Sequence, residues 1–204
     1  MPLTVDTIRF AIDRISKALE TEAPGLTEID GTLGDGDLGI TLDKAFRALS
    51  ALSPELPDTL GQAFGKCAGE VNKASSSSYG TLMATALLAS GKFVGPQPEM
   101  PWEKMSELGA TVLAALQARG RASLGDKTVL DTVNAVVEAT AGESDPDAML
   151  AAARARVAEV LDEFRDKPNK IGRARIFAER SIGLDDPGMV AFSVMINALA
   201  DQPG

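Results

Sequence analysis

Apolar positions recur at three- and four-residue steps from the beginning of the chain. Val5, Ile8, Ile12, Ile15 and Leu19 fall on one face, which predicts an amphipathic helix from about Thr4 to Glu22, stopped by Pro24-Gly25. The same periodicity predicts a helix over Thr41 to Leu52, with Leu42, Ala45, Phe46 and Leu49 inward. A third is capped by Asp58 and reaches about Val71. An apolar helix around Leu82 to Leu88 follows, with Ser77 or Ser78 as its cap. Pro101 opens the next, whose inner stripe is Trp102, Met105, Leu108, Val112 and Leu116. The stretch Leu124 to Leu130 opens a sixth helix through Glu138. Asp145-Pro146 starts a seventh with Leu150, Ala153, Val157, Val160 and Phe164 buried, and Asp186-Pro187-Gly188 precedes a final helix from Met189 to Leu199.

No segment alternates with period two, so the pattern predicts an all-α chain of about eight amphipathic helices. No repeat or linker divides it, and 204 residues suffice for one core, so residues 1–204 are expected to be a single domain.

Between the first two helices lies Asp30-Gly31-Thr32-Leu33-Gly34-Asp35-Gly36-Asp37-Leu38-Gly39-Ile40-Thr41. Three carboxylates within eight residues, among glycines that allow tight turns, can fold onto one point. Hard divalent cations take oxygen ligands of this kind. If Leu38 to Thr41 open a helix, their N–H groups form an anion site beside the acids. Metal plus anion cradle reads as magnesium and polyphosphate; a solvated acidic turn is the plain alternative.

Composition narrows the chemistry. A net charge of −9 argues against nucleic-acid and anionic-membrane partners. One cysteine, Cys67, excludes an internal disulfide and a thiolate metal cluster. The absence of histidine removes Ser-His-Asp and Cys-His nucleophiles, histidine-ligated zinc and a phosphohistidine relay. No leader-like or membrane-length apolar run is present, and a cytoplasmic location is expected. Gly61 to Cys67 imitates a phosphate-binding P-loop. It has one residue too few between its glycines, and Cys67 where Ser or Thr would hold magnesium, so it is read as helix.

In chain order, Asp30…Gly34-Asp35-Gly36-Asp37, Tyr79-Gly80, Gly125-Asp126-Lys127-Thr128, Gly172-Arg173-Ala174-Arg175, Glu179-Arg180-Ser181-Ile182-Gly183 and Asp186-Pro187-Gly188 resemble the L subunit of dihydroxyacetone kinases. The matches run from about residue 25 to 195. Leu38 and Leu184 stand where that family usually has histidine, and Ser75 to Ser78 replace its glycine-containing segment. The resemblance implies an antiparallel barrel of eight amphipathic helices with ADP or ATP across one rim. The nucleotide would be held through two Mg²⁺ ions by Asp30, Asp35 and Asp37. It places nucleotide contacts at Leu38, Gly39, Ile40, Thr41, Ala74, Ser75, Gly120, Val129, Arg173, Asp186, Pro187 and Gly188.

Arg173 is the candidate for neutralising phosphate charge, against a plain surface pairing with Glu179; Asp186 is a helix cap on either reading. The resemblance further implies a glycerone kinase-type phosphotransferase whose keto-sugar sits on a separate K-type subunit. The phosphate comes from ATP, or from a phosphotransferase-system protein onto retained ADP. A regulatory or lipid-binding module of the same fold is the alternative. The rim with Arg119, Arg121 and Lys127 is the expected docking face for the K subunit.

Overall fold

The computed structural model describes residues 2–120 and 122–200, apart from the side chains of residues 173, 174 and 177. Its helices are α1 (Val5–Leu33), α2 (Leu38–Leu52), α3 (Leu60–Ala74), α4 (Ser78–Val94), α5 (Met105–Gly120), α6 (Val129–Ala139), α7 (Pro146–Arg165) and α8 (Pro187–Ala198). Each packs on its successor, and α8 returns to pack on α1, which closes a ring. The expected all-α architecture holds. The strands among the described residues are β1 (Leu3–Thr4) and β2 (Glu99–Met100), a two-residue antiparallel pair joining Leu3 to Met100.

Two local expectations fail, each for a tertiary reason. Pro24 does not stop the first helix; α1 continues for nine residues beyond it, to Leu33. Leu19, Leu26 and Leu33 are 1%, 2% and 1% exposed, so the buried stripe continues at seven-residue steps past the proline. An interior proline costs about 3 kcal/mol, whereas burying two leucines contributes about 1.5–3 kcal/mol each. Pro24 lies on the exposed face of α1, so the carbonyl that loses its helix bond to the proline also faces solvent rather than the core. Burial therefore outweighs the break.

Asp58 is likewise not the cap of α3. Thr59 holds the cap position without a side-chain bond, and the first N–H groups are taken from outside. Leu60 donates to the Gln97 carbonyl at 2.8 Å and Gly61 to that of Gly95 at 3.0 Å. The loop after α4 thus serves as the cap. The P-loop imitation lies within α3, with Cys67 buried in the core and its thiol pushed up to about 11 by burial.

The main core joins α1, α2, α3 and α4 with the β-pair, and a second cluster fills the space between α4, α5 and α6. Arg14 fastens the closing seam: its guanidinium donates to the carbonyls of Ala198, at 3.2 Å, and Ala200, at the C-terminal end of α8.

Candidate nucleotide and metal site

An up-and-down ring places the starts of alternate helices at the same end. Here α2, α4, α6 and α8 all begin beside one cleft of about 490 Å³, with the ends of α1 and α5 between them. Every helix start carries unpaired N–H groups and a partial positive charge of roughly half a unit. Four of them on one cleft make it a place for an anion.

The local chemistry of each start is plain. Ser77 Oγ accepts the Gly80 N–H at 3.0 Å and caps α4. Thr128 caps α6, accepting from Leu130 at 3.2 Å, while Asp131 accepts the Thr128 N–H at 2.9 Å. Asp186 Oδ1 accepts from Met189 at 2.9 Å and caps α8. These are Ser, Thr and Asp positions that precede apolar runs in the sequence, and of the two expected caps of α4, Ser77 and Ser78, it is Ser77 that serves.

The start of α2 differs. Asp37 stands at its cap position but makes no side-chain capping bond. Asp30, projecting from the last turn of α1, does so instead: its Oδ2 accepts N–H bonds from Asp37 at 2.9 Å and Leu38 at 3.2 Å. The Asp37 carboxylate is left to face the cleft, which it lines together with Asp30 and Asp35. One oxygen from each of the three lies within 4.8 Å of the others.

Glycine makes this convergence possible at two points. Gly36 turns the chain at φ 69°, in the left-handed region. At Gly34, a Cβ would collide with Asp30 Oδ1. The resulting donor set is all oxygen and carries three carboxylates, Asp30 and Asp37 half-buried and Asp35 exposed. It fits a hard divalent cation, which takes oxygen ligands of this kind.

Two titratable groups border the cleft, the half-buried Tyr79 and the buried Asp186. The Tyr79 hydroxyl donates to the Gly188 carbonyl at 3.4 Å, and burial raises its pKa above the ordinary phenol value. The Asp186 carboxyl is pushed up to about 6 by burial, against hydrogen bonds from Met189, Asn169 and Gly188 and the charge of Lys127.

The residues named from sequence separate into two groups. Asp30, Asp35, Asp37, Leu38, Gly120, Val129, Asp186, Pro187 and Gly188 line the cleft. Gly39, Ile40, Thr41, Ala74 and Ser75 are not among the residues lining it. Gly39 faces α1, where a Cβ would collide with the Ala23 carbonyl and the Thr27 hydroxyl. Ile40 is exposed, Thr41 is buried with its N–H on the Asp37 carbonyl at 2.8 Å, and Ala74 ends α3. Ser75 Oγ accepts the Ser77 N–H at 3.1 Å, shaping the turn from below.

The side chain of Arg173 lies outside the described residues, as does Arg121. Gly172, immediately before Arg173, does line the cleft. Ser78, Thr81, Leu82, Ala122, Leu130 and Ile171 also line it without having been singled out as contacts. Ser78 and Leu130 neighbour recognisable helix caps, whereas nothing in the local pattern marks Ile171.

Comparison with known proteins agrees with this geometry. The profile of the DAK2 domain matches residues 32–201. The chain is 29% identical to the PEP-dependent dihydroxyacetone kinase 2, ADP-binding subunit DhaL, of Listeria innocua, over 98% of this chain and 96% of that one. It is 31% identical to the PEP-dependent dihydroxyacetone kinase 1, ADP-binding subunit DhaL, of the same organism, over 85% and 84% of the two chains. In structure it resembles the dihydroxyacetone kinase from C. freundii, solved in complex with AMP-PNP and Mg²⁺. The TM-score is 0.75 at 22% identity, covering 98% of this chain and 34% of that one, a likeness of fold. The rim of helix starts, the carboxylate trio and the match over most of the chain converge on one statement: this protein belongs to the DAK2 domain family.

Proposed function

We propose that the chain is the nucleotide-binding phosphotransfer subunit of a dihydroxyacetone-type kinase. It holds Mg-bound ADP or ATP at the rim, and the terminal phosphoryl group passes to a hydroxyl of a small keto-sugar bound on a separate K-type subunit. The observation that carries this reading is the placement of Asp30, Asp35 and Asp37 beside four convergent helix starts on one cleft.

In this reading Asp30, Asp35 and Asp37 bind divalent ions, two of them, which neutralise the phosphate charge when bound. The starts of α2, α4, α6 and α8 orient the phosphate oxygens by their N–H groups. Leu82, Val129 and Ile171 form an apolar wall that takes the base and excludes water. Arg173 supplies further positive charge at the transferred group. Phosphoryl transfer requires positioning and charge neutralisation more than a protein nucleophile, so a chain without histidine suffices for this half of the reaction.

The fold leaves apolar side chains for docking beside the rim. Ile40, Ile182 and Leu184 are exposed, and Ile176 is 79% exposed. A K-type subunit closing over the nucleotide would cover them. Among the described residues no helix is long and apolar enough to cross a membrane, and a cytoplasmic location completes the proposal.

Two measurements test it. Calorimetric titration with ADP is expected to show binding with Mg²⁺ or Mn²⁺ and none in EDTA; equal affinity in both would sink the metal-bridged reading. The purified chain is then incubated with dihydroxyacetone and radiolabelled ATP, or with a phosphotransferase-system donor. Sugar phosphate is expected only once a K subunit is added, with no acid-labile label on protein, because effective molarity collapses without an acceptor site. No transfer with either donor and a K subunit would leave the regulatory or lipid-binding alternative.

A further inference from the structure

Lys127 is the largest fully buried side chain among the described residues, at 0% exposure. It does not line the cleft. Its backbone has φ 61°, a left-handed conformation that is unfavourable for a long side chain and persists only where its surroundings over-determine it. Those surroundings are visible. Asp131 accepts the N–H groups of Gly125 at 2.6 Å and Thr128 at 2.9 Å, which bends the chain around Lys127 and drives its side chain inward.

There the Nζ donates to three backbone carbonyls: Arg165 at 3.0 Å, Lys167 at 2.7 Å and Ser181 at 2.8 Å. Three acceptors match the three N–H donors of an ammonium, with none left over. Burial lowers the Lys127 pKa, while the nearby Asp186, Asp185 and Asp166 act in the opposite direction.

The three carbonyls belong to the two ends of one loop. Arg165 and Lys167 lie where the chain leaves α7, and Ser181 lies where it turns back toward α8. Other bonds close the same base. Asn169 donates its N–H to Ser181 Oγ at 2.9 Å, and its side-chain amide donates to the Lys127 carbonyl at 2.8 Å and to Asp186 Oδ2 at 2.7 Å. Gly183 N–H reaches the Arg165 carbonyl at 2.9 Å, and Arg165 pairs with Asp185 at 2.9 Å. Beyond this base the chain runs through Ile171 and Gly172, which line the cleft, into a 3₁₀ segment, Arg173–Ser181.

We infer that the buried Lys127 ammonium, with Asn169, clamps the base of the loop over residues 166–185 against the start of α6 and so places the Ile171-to-Arg173 edge of the cleft. Lys127 is thus a positioning residue: it acts on ligand through the loop and through the α6 and α8 starts that flank it. The inference deepens the nucleotide reading above and rests on it for its consequence in binding.

The test compares the full-length wild type with Lys127→Met, which keeps the stem and removes the three donors. Hydrogen exchange is expected to accelerate about ten-fold or more within residues 166–184, while α1 to α3 retain their protection. Mg-ADP affinity should fall about ten-fold, since the loop must then be ordered on binding. If Lys127→Met does not fold, Asn169→Ala removes two side-chain bonds from the same base and is read in the same way. Unchanged exchange in the loop overturns the inference. So does protection lost evenly over the whole chain with affinity intact, the signature of a merely structural lysine. A wild type that binds no Mg-ADP refutes the nucleotide reading instead, and the exchange data still judge the clamp.

Discussion

Asp30 accepts the backbone N–H of Asp37 at 2.9 Å, so a candidate metal ligand at the end of α1 is also the cap of α2. The two functions are separable by substitution. Asp30→Ala should lose ADP binding and also destabilise the fold by about 1 kcal/mol, the usual cost of a lost cap. Asp37→Asn should abolish Mg-dependent ADP binding with helicity and melting temperature nearly unchanged, because Asp37 makes no side-chain capping bond. Calorimetry and thermal denaturation on both variants check this; equal stability losses would mean that Asp37 too is structural.

Gly39 separates packing from ligand contact. A methyl group there meets the Ala23 carbonyl and Thr27 hydroxyl of α1, so Gly39→Ala should cost about 1–3 kcal/mol by forcing two helices apart. Gly65, in α3, has open space around its Cβ position, and Gly65→Ala should stabilise by about 0.5–1 kcal/mol. Urea unfolding of the pair gives the answer, and a harmless Gly39→Ala would refute the close approach of α1 and α2.

Asp186 gives the stability a pH dependence of definite sign. Its carboxyl is pushed up to about 6 by burial, from an ordinary value of 3.8. Between these values the folded chain keeps a proton that the unfolded chain has released. Stability from this group therefore falls as pH rises from about 4 to about 6 and is level above that. Two pH units correspond to about 3 kcal/mol as an upper figure. Without ligand, the wild type should lose stability relative to Asp186→Asn over this interval, measured by urea midpoints from pH 4 to 7.5. A constant gap would show that Asp186 titrates normally.

Arg173 follows the loop that carries it. Arg173→Ala should lower the rate of phosphoryl transfer with a K subunit far more than it lowers folding stability, because neutralising charge matters most in the transition state. Single-turnover kinetics beside a thermal melt measure both. A variant that simply unfolds would make Arg173 a structural ion-pair residue.

Much of the rim was legible in the chain because it is made by local rules. Ser77 before Gly80 and the Asp-Pro pairs at 145 and 186 are caps whose donors lie three residues away. The acids at 30, 35 and 37 are close in sequence, and glycines between them permit one turn. The buried stripes of α1 and α2, and Ala153, Val157 and Val160 of α7, follow from periodicity, whereas Met149 is buried in α7 in place of the half-buried Leu150. None of this needs a distant partner.

What required the tertiary structure is everything that depends on closing the ring. Pro24 sits inside α1 because Leu26 and Leu33 gain more by burial than one backbone bond is worth. The cap of α3 comes from the Gln97 and Gly95 carbonyls, more than thirty residues away. Gly39 serves the contact with α1, whereas Ser77 and Ser78, not Ala74 and Ser75, reach the cleft, since only packing decides which side of a turn faces inward. Lys127, expected on the docking rim with Arg119 and Arg121, is instead 0% exposed and cannot contribute to a docking face. It is buried because three carbonyls, 38 to 54 residues onward, converge on it. Short-range hydrogen bonding and hydrophobic period are properties of the sequence. Convergence of distant backbone groups on one side chain is a property of the fold.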